Sequence, residues 1–173
     1  GSVFLWQLGY IMGDSALHKT MLNYYNTWKF KHPNPNDFIR VAEKTSGIQL
    51  DWYKEYWMNT TKTIDYNIDS LWMDEKGTSV RIKRLGEMPM PVDVTIMFRD
   101  STKEHHYVPL NLMYGSKPAE DTNLHVSYAP LRWTHREMVI TSSRKLTDIL
   151  SVEIDASQRL ADIDRKNNKL ELK

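Results

Sequence analysis

The stretch from Asn23 to Asn59, NYYNTWKFKHPNPNDFIRVAEKTSGIQLDWYKEYWMN, governs how the first third of the chain folds. Pro33 and Pro35 interrupt it, because proline lacks an amide hydrogen and restricts the residue before it. Asn34 can cap a new helix with Pro35 at its first position, and apolar residues at helical spacing follow. A further short helix is expected from about Asp51. The pattern therefore predicts helices on both sides of the HPNPN break.

Helical spacing also marks the residues that precede this stretch. One apolar face is made by Phe4, Leu8, Ile11 and Met12, and a second by Leu17, Met21, Tyr24, Tyr25 and Trp28. Gly13 suits the end of the first helix, and Asp14 can cap the second. Rings that share a helix stripe with aliphatic residues are typical of a packed interior. We therefore expect Trp28, Trp52 and Trp57 to be structural rather than to stack on a ligand.

From about residue 63 the apolar period changes to two, which predicts β-strands. The alternating runs are Ile64–Ile68, Val80–Ile82, Val92–Phe98, His106–Leu112, Glu137–Thr141 and Leu150–Ile154. In the last run, Leu150, Val152 and Ile154 are expected to point the same way. Several short strands separated by turns, with no crossover helices between them, predict an antiparallel sandwich. The segment 114–129 is expected to be a long loop.

Composition excludes several classes of function. The 173 residues include 23 basic and 22 acidic ones, so net charge gives no case for a nucleic-acid or anionic-membrane partner. No apolar run is long enough to span a bilayer. The absence of cysteine excludes disulfides, thiolate metal sites and cysteine nucleophiles. It is compatible with either the cytoplasm or the periplasm.

The candidate metal ligands do not form a known motif. None of the six histidines begins an H-E-x-x-H sequence. His105 and His106 are adjacent on a predicted strand, so we expect one buried and one surface ring. The tail ADIDRKNN is rich in oxygen ligands, but its spacing does not match a calcium loop and favours a polar turn. We therefore predict no catalytic and no metal-binding residues in this chain, and substrate-binding residues are left open.

One run of residues resembles a known family. The segment from Tyr25 to Trp57, YNTWKFKHPNPNDFIRVAEKTSGIQLDWYKEYW, is similar to a pattern found late in the catalytic domain of aminopeptidase N-like zinc metallopeptidases (gluzincin aminopeptidases). That pattern is T-x-x-D-F-x-x-x-x-E-x-x-S-G-x-x-L-x-W-x-x-x-x-W. The matching residues are Asp37-Phe38, Glu43, Ser46-Gly47, Leu50, Trp52 and Trp57, with Asn34 at the capping Thr position. FLWQLGYIMGD, Phe4 to Asp14, resembles the helix after the family's Y-x-K-G motif. PMPVDVTIMF and DIDRKNN resemble parts of the small sandwich domain that follows.

The resemblance implies an α+β fold in three parts. Residues 1–65 would be the helical end of a thermolysin-like catalytic domain, residues 66–160 an antiparallel β-sandwich, and residues 161–173 a polar tail. The parent would use zinc to remove N-terminal residues from peptides. The family's G-x-M-E-N and H-E-x-x-H motifs, its downstream Glu ligand and its Y-x-K-G tyrosine would all lie before residue 1.

We therefore expect a C-terminal fragment that is inactive alone, with zinc only in the full-length parent. Its partners would be the remainder of the catalytic domain and, in the parent, a peptide substrate. The exposed apolar surface of such a piece favours self-association. Side-chain preference would be set by pockets made largely of other residues.

A different class of function stays open. The chain could be a stand-alone adaptor whose β-sandwich binds a protein or a carbohydrate. Its binding residues would be exposed aromatic side chains such as Tyr107, Tyr114, Tyr128 or Trp133. The upstream coding sequence separates the two hypotheses. An H-E-x-x-H motif there favours the peptidase, whereas an initiator Met or a signal peptide just before Val3 favours the adaptor.

Overall fold

Four helices occupy the first 59 residues, as the helical spacing predicts. In the computed structural model, which describes residues 1–173, the helices are α1 (Ser2–Met12), α2 (Asp14–Trp28), α3 (Pro35–Ser46) and α4 (Asp51–Asn59). The predicted cap of α3 is confirmed: the Asn34 side chain accepts hydrogen bonds from the amides of Asn36 and Asp37. The Asp37 carboxylate accepts the Asn34 amide in return, at 2.9 Å. Gly47, with φ of 71°, ends α3 in the left-handed conformation.

The turn between α1 and α2 differs from the prediction. Gly13, not Asp14, occupies the cap position, and no side chain caps α2. Asp14 is the first residue of the helix, and its carboxylate pairs with Arg159 instead. The prediction that Asp14 caps α2 is therefore wrong, because a distant guanidinium binds this carboxylate.

Eight strands form two sheets. They are β1 (Tyr66–Asp74), β2 (Gly77–Arg84), β3 (Val92–Phe98), β4 (Lys103–Val108), β5 (Leu124–Ser127), β6 (Glu137–Ser142), β7 (Ile149–Ile154) and β8 (Lys169–Glu171). The first sheet has the order β1-β2-β6, and the second the order β5-β4-β3-β7-β8. With four helices before two sheets, the chain has the α+β fold that the sequence predicts.

Two details of the sheets correct the sequence-based predictions. The expected loop 114–129 contains β5, which pairs with β4 in parallel and places His125 opposite His105. All other strand pairs are antiparallel. In β7 the register shifts, so that Phe98 pairs with Ile149 and Met97 with Ser151. Leu150 is therefore exposed, and Ile149 takes the buried position in its place.

One apolar core joins the helices to the strands. A single cluster of 28 buried residues includes Leu8, Ile11 and Tyr53 from the helices as well as the alternating positions of β3. Val92, Val94, Ile96 and Phe98 are all buried, as the two-residue period predicts. Residues 161–173 add β8 at the edge of the second sheet. None of the helices combines the length and apolar character needed to cross a bilayer.

The aromatic residues of the helices pack mostly against each other. Tyr53, which is fully buried, stacks on Phe4 with ring centroids 4.8 Å apart. Trp52 and Trp57 are partly buried against the same core, as expected for structural rings. Trp28 is also partly buried, but it lies outside that cluster.

Candidate functional site

A cavity lined mostly by charged and polar side chains lies where the helices meet the second sheet. We call it the junction cleft; its volume is about 420 Å³. It is lined by Trp6, Asp14, Asp93, Thr95, His105, Lys117, Pro118, Glu120, Asp121, His125, Asp155, Ala156, Ser157 and Arg159. Such a concentration of charged side chains in one cavity makes it the first place to look for chemistry.

Lys117 occupies the buried side of the cleft. Its side chain is only 2% exposed, and its ammonium group lies 2.6 Å from an Asp93 carboxylate oxygen and 2.7 Å from one of Glu120. The rings of Tyr10 and Tyr107 flank it, with their centroids 4.8 and 5.5 Å from Nζ. Two carboxylates and two ring faces thus compensate for the buried charge.

Arg159 connects four segments of the chain. Its guanidinium makes a bidentate pair with Glu120, at 2.9 and 2.7 Å, and bonds to Asp14 Oδ1 at 2.8 Å. It also donates to the Gly9 carbonyl near the end of α1, at 3.3 Å. Because one planar group holds α1, α2 and the Glu120 loop to the segment after β7, Arg159 is well placed to fix the helices on the sandwich.

Inside the core, Tyr10 also joins α1 to the second sheet. Its buried hydroxyl accepts a hydrogen bond from the Asp93 amide at 2.9 Å and donates one to the Pro91 carbonyl at 3.2 Å. Burial raises the pKa of this hydroxyl well above its ordinary value, and the Asp93 carboxylate adds to the effect. Tyr10 is therefore a neutral structural hydrogen-bonding group.

The pKa shifts in the cleft follow from burial and pairing. Burial raises the pKa of Asp93, although Lys117 opposes the change. Burial also disfavours ionisation of Glu120, but hydrogen bonds from Arg159 and Lys117 outweigh it and lower that pKa to about 2. A buried ion-pair network perturbs pKa values in this way without catalysis.

The serine of the cleft does not form a hydrogen bond with a histidine. Ser157 Oγ donates to Asp155 at 2.6 Å and accepts from Arg159 Nε at 3.0 Å, rather than facing a histidine. His105 contacts Thr95 through Nδ1 at 3.0 Å and Asp121 through Nε2 at 2.9 Å. The ion pairs of Lys117 and Arg159 join the helices to the sheet, so the arrangement serves to fasten these parts together.

The residues of this chain do not fit the zinc ion that the resemblance implies for the parent. No group of three or more His, Asp or Glu residues is placed so that it could hold a metal ion. Both ring nitrogens of the buried His106 are engaged, by Glu104 at 3.1 Å and Tyr128 at 2.9 Å. His105 lies on the opposite face of β4 and is partly exposed, so the prediction of one buried and one surface ring is confirmed.

The tail segment ADIDRKNN, residues 161–168, forms the predicted polar turn. Asp162 accepts the amides of Tyr66 and Asp164, both at 2.9 Å. Asp164 accepts the Lys166 amide at 3.2 Å. These carboxylates therefore satisfy backbone donors and hold the tail against β1.

A second cavity is apolar and lies on the outer side of the helices. We call it the apolar groove; its volume is about 410 Å³, and it is lined by Gly1, Phe4, Pro35, Phe38, Ile39, Lys54, Trp57 and Met58. Val3 and Trp6 are exposed elsewhere on α1. Exposed apolar surface around a concave site is typical of a surface that packs against another polypeptide.

The aromatic residues of the adaptor hypothesis are placed unequally. Tyr107 is buried, so its prediction as an exposed ring is wrong. Tyr128 is half-buried, and its hydroxyl accepts the Thr141 amide at 2.9 Å. Tyr114 and Trp133 are exposed, and Tyr114 lines a shallow pocket together with Trp52.

Sequence reasoning missed the residues of the junction cleft. Lys117, Glu120 and Arg159 lie outside the helices and strands, where no apolar period marks a residue as buried. The one available signal is the cluster of charges in KPAED, residues 117–121.

No protein-family model matches the chain, and the comparison with curated proteins finds no match to it.

Proposed function

We propose that this chain is the C-terminal part of a zinc-dependent aminopeptidase of the aminopeptidase N type. In this proposal the chain supplies scaffold and part of the wall of the peptide-binding cleft. The rest of the polypeptide supplies the zinc ligands and the catalytic residues, and the complete enzyme removes N-terminal residues from peptides.

The motif residues that carry the resemblance build one local structure. Glu43 accepts the Leu50 amide at 2.8 Å, which closes the turn between α3 and α4. Ser46 Oγ accepts the Ile48 amide at 3.2 Å, next to the left-handed Gly47. Glu43, Ser46, Gly47 and Leu50 all have roles in the same turn, which supports the proposal that their joint occurrence reflects a local fold shared with the family.

The observation that carries the proposal furthest is the apolar groove. It is formed by α1, α3 and α4, the helices in which the resemblance is concentrated. Met58 at the groove is 54% exposed, and a second polypeptide surface would bury it. The remainder of a catalytic domain is such a surface.

Activity measurements test the catalytic part of the proposal. The isolated chain should not hydrolyse an aminoacyl p-nitroanilide, with or without added zinc. The full-length product of the same coding sequence should hydrolyse it and lose activity to a chelator. Turnover by the isolated chain above a metal-free control would overturn the proposal, as would an upstream sequence without H-E-x-x-H.

Complementation tests the role of the apolar groove. The upstream part of the polypeptide, expressed separately, should regain activity when it is mixed with this chain. Met58→Glu should weaken that recovery, because it places a charge on an apolar contact. Met73→Glu is the matched control, since Met73 is 53% exposed but lies on β1, away from the groove. Equal effects of the two variants would show that the groove is not the contact surface.

A further inference from the structure

We propose that the outer side of α2, together with the turn after it, binds an acidic segment of a separate partner protein. This surface, which we call the α2 face, comprises Met21, Leu22, Tyr25, Lys29, Phe30 and Lys31. All six residues are exposed. The inference is independent of the proposed aminopeptidase function.

The charge of the α2 face has one sign, although the whole chain is nearly neutral. Residues 15–36 contain no Asp or Glu, but they include Lys19, Lys29 and Lys31. The flanking carboxylates are already engaged, since Asp14 pairs with Arg159 and Asp37 belongs to the α3 cap. The carboxylates of a partner would therefore meet cations on a segment that carries no acidic residue of its own.

Apolar side chains lie among these cations. Tyr25 follows Leu22 by three positions and Met21 by four, spacings that place its ring beside both side chains. Lys29 Nζ lies 5.8 Å from the centroid of the Tyr25 ring, and Lys31 Nζ lies 5.6 Å from that of Trp28. These contacts hold two ammonium groups close to the apolar surface.

Phe30 is the most unusual residue of the α2 face. Its side chain is 98% exposed, and its φ of 65° lies in the left-handed region that bulky residues avoid. The ring gains nothing from packing in this chain, and the backbone conformation costs free energy. An aromatic ring held out between two lysines fits a role as an anchor in a pocket of a partner.

The pattern favours a protein partner over a membrane surface. A helix that lies in a bilayer presents a continuous apolar stripe. On α2 the exposed apolar residues are confined to Met21, Leu22 and Tyr25, which span little more than one helical turn. A protein interface accommodates so short an apolar patch, because polar groups around it can form hydrogen bonds across the interface.

Peptide titration tests the charge requirement. The probe is a fluorescein-labelled peptide in which Leu and Trp alternate with pairs of Glu, and its twin carries Lys in place of Glu. Fluorescence anisotropy should show binding of the acidic peptide only. Lys29→Glu with Lys31→Glu should weaken it by about tenfold, since attraction becomes repulsion at two sites. Lys76→Glu with Lys145→Glu changes the same charge outside the α2 face and should leave the affinity unchanged.

Phe30→Asn separates binding from stability. Asparagine tolerates the left-handed conformation, so this variant should be at least as stable to urea as the wild type. Loss of the ring should nevertheless weaken binding of the acidic peptide by about tenfold. Any one of three results would overturn the proposal: equal binding of both peptides, full binding by Phe30→Asn, or binding of phosphatidylserine vesicles without binding of the peptide. Self-association through the α2 face, seen by sedimentation and abolished by Phe30→Asn, would overturn it as well.

Discussion

Replacement of Tyr10 by phenylalanine should destabilise the protein substantially, although it removes a single oxygen atom. The hydroxyl accepts the Asp93 amide at 2.9 Å and donates to the Pro91 carbonyl at 3.2 Å. Tyr10 is fully buried, so water cannot readily replace the lost group. Tyr10→Phe would thus leave a backbone donor and a backbone acceptor without their partner, at the point where α1 meets β3.

The size of the effect follows from those two groups. An unsatisfied buried hydrogen-bonding group costs about 1–3 kcal/mol, and the more apolar phenylalanine ring recovers part of this. We therefore expect the free energy of unfolding to fall by about 2 kcal/mol. For a chain of this length, that loss lowers Tm by roughly 4–8 °C.

Urea unfolding followed by far-UV circular dichroism and by tryptophan fluorescence measures this loss. Both signals should shift together, since the shared core makes the helices and the sandwich unfold as one unit. Tyr25→Phe is the control: it removes the same atom from an exposed ring and should change the free energy by less than about 0.5 kcal/mol. If Tyr10→Phe has no larger effect than this control, Tyr10 does not fasten α1 to β3.

Three further predictions concern other parts of the molecule. Burial lowers the pKa of His106, against the effect of Glu104, so the unfolded chain binds protons more readily than the folded one. The free energy of unfolding should therefore fall as the pH drops below about 6.5, and it should level off below the pKa of His106 in the folded chain. In urea unfolding at a series of pH values, His106→Gln should flatten this part of the plot of free energy against pH. Arg84 is 6% exposed, its Nε and Nη1 have no protein acceptor, and its side chain donates only to the Trp133 carbonyl. Because a buried charge with so few partners is costly, Arg84→Met should raise the free energy of unfolding by about 1 kcal/mol. A fall of that size in the same assay would contradict this reasoning. Gly77 has φ of 127°, and a Cβ there would overlap the Ser142 carbonyl. Gly77→Ala should therefore lower the free energy of unfolding by at least about 2 kcal/mol. An unchanged Tm would refute this prediction.

The parts of the fold that sequence analysis predicts are those encoded by neighbouring residues. The α3 cap depends on Asn34 and Asp37, three positions apart, and the burial of β3 depends on a period of two. Leu150 was predicted incorrectly because the register shift in β7 depends on its pairing with β3. Strand β5 was missed because four residues are too few to show a period.

The junction cleft could not be predicted, because its contacts join distant residues. Lys117 binds Asp93, which is 24 positions away, and Arg159 binds Asp14, which is 145 positions away. Charged residues in loops are usually solvated, so apart from the charge cluster KPAED nothing in the local sequence separates these two from their exposed neighbours. Only the folded chain shows which charges are buried together.

The contacts of the junction cleft also fix the positions of α1 and α2, and with them the exposed surfaces of these helices. Arg159 and Tyr10 hold α1 and α2 against the second sheet, so the α2 face and the α1 side of the apolar groove are fixed in the free chain. Association then loses less conformational entropy than it would if the helices had to fold on binding. In the proposed complexes, the charges in the cleft thus act on binding indirectly, because they hold in place surfaces that they do not contact.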